Sequence, residues 1–389
     1  MSALITVFKK EIRDMMRDRR TVLISLVVGT LLGPLLMFGM LKMMVNRANT
    51  QLEKPLALPV EGGEHAPNLV NWLKGQNIVI KPAPTDIDAV IADQSEDVVL
   101  RISPEFGAQW RKSLPAKVEL IHDSTRQDAS IPVQRVETLL ENYSRTVGTL
   151  RLLARGVSPT AIQSIQIAHR DLATPQSRAG QVLFFLPYLL ILTAFLGGAY
   201  LIIDVTAGER ERQSLEPLLA TPASRSSIMS GKILAACAFG LLSLIITLLA
   251  FKICFLFSTG FGVKVELLLS TISLLLLVLI PILLIGACLL TLIAASVKSV
   301  KEAQSYMSIL VMLPLLPTII LMANPVKNQL WMFAVPFLSQ NQMILKLVRG
   351  ESISGSEWAV YFLAGFGLAA VLWAIAARMY HREKLAISA

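Results

Sequence analysis

Long apolar runs that are poor in charged residues alternate with polar segments along this chain. A helix needs about 20 predominantly apolar residues to cross a bilayer core of roughly 30 Å. We predict six transmembrane helices, although prolines interrupt the fifth run, because neighbouring helices satisfy the carbonyls that a proline frees. The six runs are residues 21–45, 182–203, 228–257, 267–297, 304–323 and 358–377.

Two further helical patterns do not predict transmembrane helices. Residues 1–20 carry apolar side chains at helical spacing with basic residues opposite them, which is typical of a helix lying on a membrane surface. Residues 330–348 are apolar but contain Pro336 and several polar side chains. Because lipid-exposed polar groups are costly at membrane depth, we predict a re-entrant or interfacial segment there.

The polar stretch 46–180 has the patterns of a separate folded domain. Thr85, followed by Asp88 three residues later, predicts the N-terminus of a helix within it. An α+β domain fits the mixture of patterns, with a helical stalk returning to the membrane. Strands are expected at residues 56–60, 77–81, 98–102 and 117–121, and helical segments at 66–74, 85–92, 131–154 and 158–169.

These patterns predict a polytopic α-helical membrane protein with six transmembrane helices and a large α+β extracytoplasmic domain between the first two. The composition agrees, since 54% of the residues are hydrophobic and only 16% are charged. The predicted parts are a cytoplasmic interfacial helix at 1–20, transmembrane helix 1 at 21–45, the extracytoplasmic domain at 46–180, transmembrane helices 2–6 at 181–378 and a cytoplasmic tail at 379–389. The fourth part contains a charged segment at 204–232 and the re-entrant segment at 330–348.

The distribution of basic residues predicts the orientation. With the N-terminus inside, the short inner segments hold fifteen Lys and Arg residues and the short outer loops hold four. Because inner loops are enriched in Lys and Arg, both termini are predicted to be cytoplasmic, in a multi-pass protein of the plasma (inner) membrane. The stretch 46–180 holds fifteen basic and fifteen acidic residues, so the net charge of +9 arises in the membrane part. Anionic membrane lipid, and no nucleic acid, is therefore the expected partner of that charge.

Absent motifs narrow the possible chemistry. Gly231 and Lys232 are followed by Ile233, without a glycine five positions before Gly231, so the chain has no P-loop. It also lacks the motifs of serine hydrolases and zinc proteases. We therefore predict neither an enzyme nor a cofactor or metal bound by this chain. Acidic residues occur only at the ends of the predicted spans, which weakens the case for an ion-coupled secondary transporter.

The segment 204–232 separates two long apolar runs and is densely charged around E-R-E-R at 209–212. An ordinary solvated loop is the simplest interpretation of such charges. The stretch E-R-E-R-Q-S-L-E-P-L-L-A-T-P, however, resembles the cytoplasmic signature of type-2 ABC exporter permeases. The chain departs from that pattern at Gln213 and Ser214, where Gly-Thr is more usual. It matches at Glu209, Arg210, Glu211, Leu215, Glu216, Leu218, Leu219, Pro222, Gly231 and Lys232.

Other parts of the chain extend the resemblance. The opening F-K-K-E-I-R-D-M-M-R-D-R-R resembles the interfacial N-terminal helix of the family. The large domain after the first span, V-E-L-I-H-D-S-T-R at 118–126 and the run at 335–351 resemble its sodium-efflux (NatB-like) branch. The resemblance implies a permease subunit, homodimeric or heterodimeric, that docks a separate ABC ATPase, and it is this partner that binds ATP and Mg²⁺.

The resemblance also implies which residues act. The segment 204–232 would be the coupling helix that transmits closure of the ATPase, through Glu209, Arg210, Glu211, Arg212, Leu215, Glu216, Leu218 and Leu219. A polar path, or alternatively the repair of a broken helix, would explain Ser339, Gln340, Asn341 and Gln342.

Several functions stay open at this stage. The expected cargo is Na⁺, and the alternative is a drug, a lipid or another hydrophobic compound. A membrane-anchored sensor or scaffold is the alternative from a different class, although six spans exceed what anchoring needs.

Overall fold

The computed structural model describes residues 3–126, 128–162, 183–257, 268–323 and 328–381, with the single positions 165, 170 and 174. The chain divides into two compact units. We call Met1–Met40 with Leu172–Ala389 the helical unit, and Leu41–Asp171 the inserted unit. Each is described separately below.

Among the described residues, six helices are long and apolar enough to cross a membrane, as the apolar runs predict. We call them spans 1–6. Span 2 extends to Glu211, eight residues beyond the predicted end at 203, and span 5 begins at Val300 rather than at 304. Both differences place charged residues inside the helical spans. The spans are Leu26–Arg47, Leu186–Glu211, Arg225–Leu256, Leu269–Ser296, Val300–Ala323 and Gly355–His381.

Irregular turns subdivide the spans. The N-terminal helix Ala3–Arg17 leads through the helix Arg19–Leu23 and a π-helical turn at Ile24–Val28 into the helix Gly29–Glu53. Span 2 comprises the helices Leu186–Leu196, Ala199–Ile203 and Glu209–Glu211, with a π-helical turn at Asp204–Gly208. Span 5 comprises Val300–Met312 and Leu315–Ala323.

Close backbone contacts hold spans 2, 3 and 4 together. A Cβ added at Gly198 in span 2 would lie 2.5 Å from the carbonyl oxygen of Ala236 in span 3. At Gly286 in span 4, an added Cβ would overlap the carbonyl of Phe195 in span 2. Small residues permit such close approach between membrane helices. Span 2 therefore lies in direct backbone contact with both neighbours.

The region predicted to be re-entrant contains two short elements. A 3₁₀-helix at Leu330–Ala334 is followed by a helix at Leu338–Arg349, which is too short to cross a bilayer. Gly350, in the left-handed conformation at φ 69°, ends that helix. Its relation to the membrane surface stays a prediction.

The inserted unit contains a four-stranded sheet with the order β2-β1-β3-β4. The strands are β1 (Leu56–Glu61), β2 (Ile78–Pro82), β3 (Val99–Ile102) and β4 (Val118–Ile121). β1 pairs with β2 and β3 in parallel, and β4 pairs with β3 antiparallel. All four lie within two residues of the strands expected from sequence. Its helices are Pro67–Lys74, Ile87–Ala92, Phe106–Arg111 and Ser130–Ala154, with 3₁₀ turns at Gly63–His65 and Pro159–Ile162.

The helices of the inserted unit differ from the predicted ones at three places. The helix Ile87–Ala92 is capped by Asp86 rather than Thr85, since Asp86 Oδ1 accepts the N–H of Ala89 at 3.0 Å. The helix Phe106–Arg111 was not predicted. Of the helix expected at 158–169, the structure describes residues 158–162, with a 3₁₀ turn at Pro159–Ile162, and the single position 165, and the rest lies outside the described residues.

Candidate functional site

The N-terminal helix packs directly against the beginning of span 3. A Cβ added at Gly231 would lie 2.8 Å from Val7 Cβ and 3.0 Å from the carbonyl oxygen of Leu4. Only glycine therefore permits this approach of the two helices. At this contact, Val7 and Glu11 lie on the inner side of the N-terminal helix, and both are buried. It also brings Glu11 towards Lys232, the residue after the glycine.

Four charged side chains meet at this contact. Lys232 is 0% exposed, and its Nζ donates hydrogen bonds to the Glu209 carboxylate and to the carbonyl of Val205. Glu11 Oε1 lies 3.6 Å from Lys232 Nζ. Lys10 Nζ lies 3.0 Å from Glu209 Oε1 and 3.1 Å from Glu11 Oε1. We call Lys10, Glu11, Glu209 and Lys232 the charge cluster.

The charge cluster is electrically balanced, with two carboxylates against two ammonium groups. Such balance is required, because burying an unpaired charge costs several kcal/mol. Burial lowers the pKa of Lys10, but the hydrogen bond and negative charge of Glu209, followed by those of Glu11, outweigh this effect and raise the pKa above its usual range. Lys10 consequently stays a cation throughout the physiological pH range.

The two residues after Glu209 contact two other spans. Arg210 Nη1 donates to the carbonyl oxygens of Ala295 at 3.3 Å and Val297 at 3.1 Å, at the end of span 4. Glu211 Oε2 accepts the N–H of Val300 at 2.9 Å, at the beginning of span 5. Helix ends leave such carbonyls and N–H groups without partners in their own helix. The triplet Glu209–Glu211 thus joins spans 3, 4 and 5 to the end of span 2.

A tight turn follows the triplet. Arg212 pairs with Asp204, and its side chain is 61% exposed. Gln213 has φ 57°, the left-handed conformation that glycine adopts most easily. This conformation explains why glycine is usual at this position in the resembling sequences. Ser214 closes the turn, since its N–H and Oγ both donate to the carbonyl of Glu209 at 2.9 and 3.2 Å.

Beyond the turn, the chain forms an exposed loop that contains a short helix. We call residues 212–224 the tip. Leu215 is buried at the start of the helix Leu215–Leu219, whereas Pro217 and Thr221 are exposed. The side chains of Glu216 and Leu219 lie outside the described residues. Ser224 begins span 3, where its Oγ accepts the N–H of Ser227 at 3.3 Å.

The end of span 6 is bound to the same region. Arg225 Nη1 donates to the carbonyl oxygens of Tyr380 and His381, both at 3.3 Å. A cation at these carbonyls stabilises the C-terminus of a helix. The tip therefore lies between two chain segments that are each held by charged contacts to other spans.

The polar residues expected to line a path lie in the helix Leu338–Arg349. All four, Ser339 to Gln342, are buried. Gln340 Oε1 accepts the N–H of Phe337 at 2.6 Å and the hydroxyl of Ser339 at 3.2 Å. Asn341 Nδ2 donates to Thr318 Oγ1 of span 5 at 3.0 Å. These bonds give Gln340 and Asn341 protein partners at the break before the helix, while a role in a polar path stays a prediction.

The residues expected to couple to a partner differ in their exposure. Glu209 and Leu215 are buried, Arg210 and Leu218 are half-buried, and Glu211 and Arg212 are exposed. Arg210 and Glu211 also contact span ends. Sequence reasoning did not assign a role to Lys10 or Glu11. A usable signal was present, since a lysine within the predicted third span requires a partner.

Comparison with known families places the chain. Residues 24–378 match the family model described as "ABC-2 family transporter protein". The chain belongs to the ABC-2 transporter family. This ABC-2 permease is also similar to the "ABC transporter permease protein NatB" of Bacillus subtilis (strain 168), with 28% identity over 350 residues that cover 88% of this chain and 89% of the relative. The resemblance to a NatB-like permease is thereby confirmed.

Family membership fixes the coarse function. The ABC-2 permease is a multi-pass membrane protein and the transport component of an ABC system. The interpretation as a mere anchor for a sensor or scaffold loses its support, because the match extends over nearly all spans.

Proposed function

We propose that this ABC-2 permease is the membrane subunit of an ATP-driven exporter, energised by a separate ABC ATPase that binds ATP and Mg²⁺. The observation that carries the proposal is the triplet Glu209–Glu211, whose three side chains contact three different elements while its continuation is exposed. A force applied at that continuation would reach several spans together. This is the mechanical property that energy transfer from an outside subunit requires.

The tip is the proposed docking surface of the ATPase. It exposes Arg212, Gln213, Pro217, Thr221 and Pro222, a mixture of polar and small apolar side chains on a turn and a short helix. The Glu209, Arg210 and Glu211 side chains would pass the motion of the ATPase on, through their contacts with other spans. This assignment places the tip and both termini in the cytoplasm and the inserted unit outside.

A second permease subunit would complete the transport path. Over an apolar stretch of 18 residues, only 17% of the residues of spans 1 and 5 and 22% of those of span 6 are buried within this chain, against 61% in spans 2, 3 and 4. Lipid and a second permease, either a copy or a homologue, are the proposed neighbours of these faces.

The proposed cargo is Na⁺. The resemblance to the sodium-efflux branch and the similarity to NatB support this choice. The alternative cargo is a hydrophobic compound such as a drug or lipid.

Proteoliposomes containing the permease with its co-purifying ATPase distinguish these cargoes. Addition of ATP should move radiolabelled Na⁺ across the membrane, and a non-hydrolysable ATP analogue should not. Movement of a fluorescent lipid or drug without Na⁺ would favour the alternative cargo. Movement of Na⁺ that follows an ion gradient and ignores ATP would contradict the exporter itself.

A further inference from the structure

Lys232 is the most deeply buried charged residue that the structure describes in the helical unit. Its side chain is 0% exposed, and its ammonium contacts both span 2 and the N-terminal helix. We propose that Lys232 is a positioning residue that keeps the triplet Glu209–Glu211 in register with spans 4 and 5, so that motion of the tip becomes transport. The inference rests on the proposed function and names the residue that makes the coupling rigid.

The contacts of Lys232 lie within and directly after the π-helical turn Asp204–Gly208. Its Nζ donates to the carbonyl of Val205 inside the turn and to the carboxylate of Glu209 immediately after it. One ammonium group therefore forms hydrogen bonds both to a residue inside the turn and to the first residue after it.

A π-helical turn accommodates one residue more than an α-helical turn, and such turns are frequent at functional sites. In the turn at Asp204–Gly208, the N–H of Glu209 bonds to the carbonyl of Asp204, five residues earlier. Conversion of this turn to regular α-helix would shift the following residues by one position, a rotation of about 100° around the helix axis. A rotation of that size turns the triplet away from its present partners.

The contacts of the triplet with spans 4 and 5 depend on this register. Arg210 bonds the carbonyls at the end of span 4, and Glu211 bonds the N–H of Val300 at the beginning of span 5. Neither contact survives a rotation of the triplet about the axis of span 2. Lys232 therefore acts through Glu209 on contacts that it does not make itself.

The test must separate positioning from simple stabilisation, because Lys232→Met leaves one carboxylate unbalanced. The double variant Lys232→Met/Glu11→Gln removes one charge of each sign and leaves the pair Lys10–Glu209 intact. The balanced variant is therefore expected to fold, while the bonds to Val205 and Glu209 from Lys232 are lost. Glu11→Gln alone is the matched control, since it keeps those two bonds.

The first measurement is the amount of radiolabelled Na⁺ transported per ATP hydrolysed, in proteoliposomes that contain the permease with its ATPase bound. We expect Lys232→Met/Glu11→Gln to retain the ATPase but to lower transport per ATP about 10-fold, within the range of typical coupling free energies. The single variant Lys232→Arg, which keeps a cation at this position, should lose less transport per ATP than the double variant. Wild-type transport per ATP in the double variant, or a loss that merely follows the amount of folded protein, would overturn the proposal.

The second measurement does not need the ATPase. Hydrogen exchange of the permease alone should become faster at residues 204–211 and at the Val300 amide in the double variant, and not in Glu11→Gln. Unchanged exchange there would refute the positioning role even if transport fell. Failure of the wild-type permease to bind any ATPase would instead refute the proposed function, and the exchange result would still decide the role of Lys232.

Discussion

Removal of the Glu209 carboxylate should destabilise the helical unit far more than removal of a surface carboxylate. Lys232 is fully buried, and in Glu209→Ala its ammonium keeps, among the described residues, only Glu11 as a charged partner, at 3.6 Å. Removing one partner of a buried ion pair typically costs about 3–5 kcal/mol, because the other charge is left uncompensated. We expect a loss of that size for Glu209→Ala.

Asp204→Ala is the matched control from the same turn. Asp204 pairs with Arg212, but the side chains of the two residues are 36% and 61% exposed. Exposed pairs of this kind contribute about 0–1 kcal/mol. The two alanine variants should therefore differ by about 2 kcal/mol or more in the free energy of unfolding.

The cysteines of the protein provide the assay. Cys237, Cys254 and Cys288 are all buried, so a thiol-reactive fluorophore reports unfolding in detergent as temperature rises. The unfolding midpoint should fall markedly in Glu209→Ala and little in Asp204→Ala. Adding Lys232→Met to Glu209→Ala should recover part of the loss, because the uncompensated ammonium is removed. Equal midpoints in the two single variants would refute a buried, energetically coupled Glu209.

Two further predictions concern packing. In Gly231→Leu, the new Cβ would lie 2.8 Å from Val7 Cβ. The N-terminal helix should therefore separate from span 3 and become sensitive to limited proteolysis. Gly355→Leu, at a position with open space, should leave the cleavage pattern unchanged. In the inserted unit, Trp110→Ala should lower the free energy of unfolding by about 3 kcal/mol, the lower end of the range for a core tryptophan, because Trp110 is half-buried. Its ring stacks with two aromatic rings and lies 4.5 Å from an arginine guanidinium. Chemical denaturation followed by circular dichroism measures the change, and a loss below about 1 kcal/mol would contradict the packing described.

Much of the fold follows from the sequence because its signals are local. Six apolar runs locate the spans, and alternating or continuous apolar patterns locate β1 to β4 within two residues. The predicted span 2 ends at 203 because polar residues normally mark a helix that has left the membrane. Here the helix continues to Glu211, since partners from distant parts of the chain neutralise its charges.

The charge cluster shows why the site was only partly predictable. Lys10 and Glu209 are 199 positions apart in sequence, and no local pattern indicates that they meet. The match to the family signature singled out Glu209 and Lys232 but not their contact with each other. A π-helical turn has no sequence signal of its own, and the left-handed Gln213 replaces the glycine that would have marked the turn.

Coupling through the tip is the central claim, and a bulky substitution on its surface tests it most directly. Thr221 is exposed, and its hydroxyl donates to the carbonyl of Leu218 in its own turn. Thr138 in the inserted unit is also exposed, and its hydroxyl donates to the carbonyl of Gln134. Thr221→Trp and Thr138→Trp thus make the same change on two surfaces.

The measurement is ATPase binding and ATP-dependent transport by the two tryptophan variants, side by side in proteoliposomes. The account predicts that Thr221→Trp inserts and folds normally but loses ATPase binding and transport, while Thr138→Trp keeps both. Full activity in Thr221→Trp, or an equal loss in both variants, would contradict the proposal that ATP hydrolysis drives this permease through the tip.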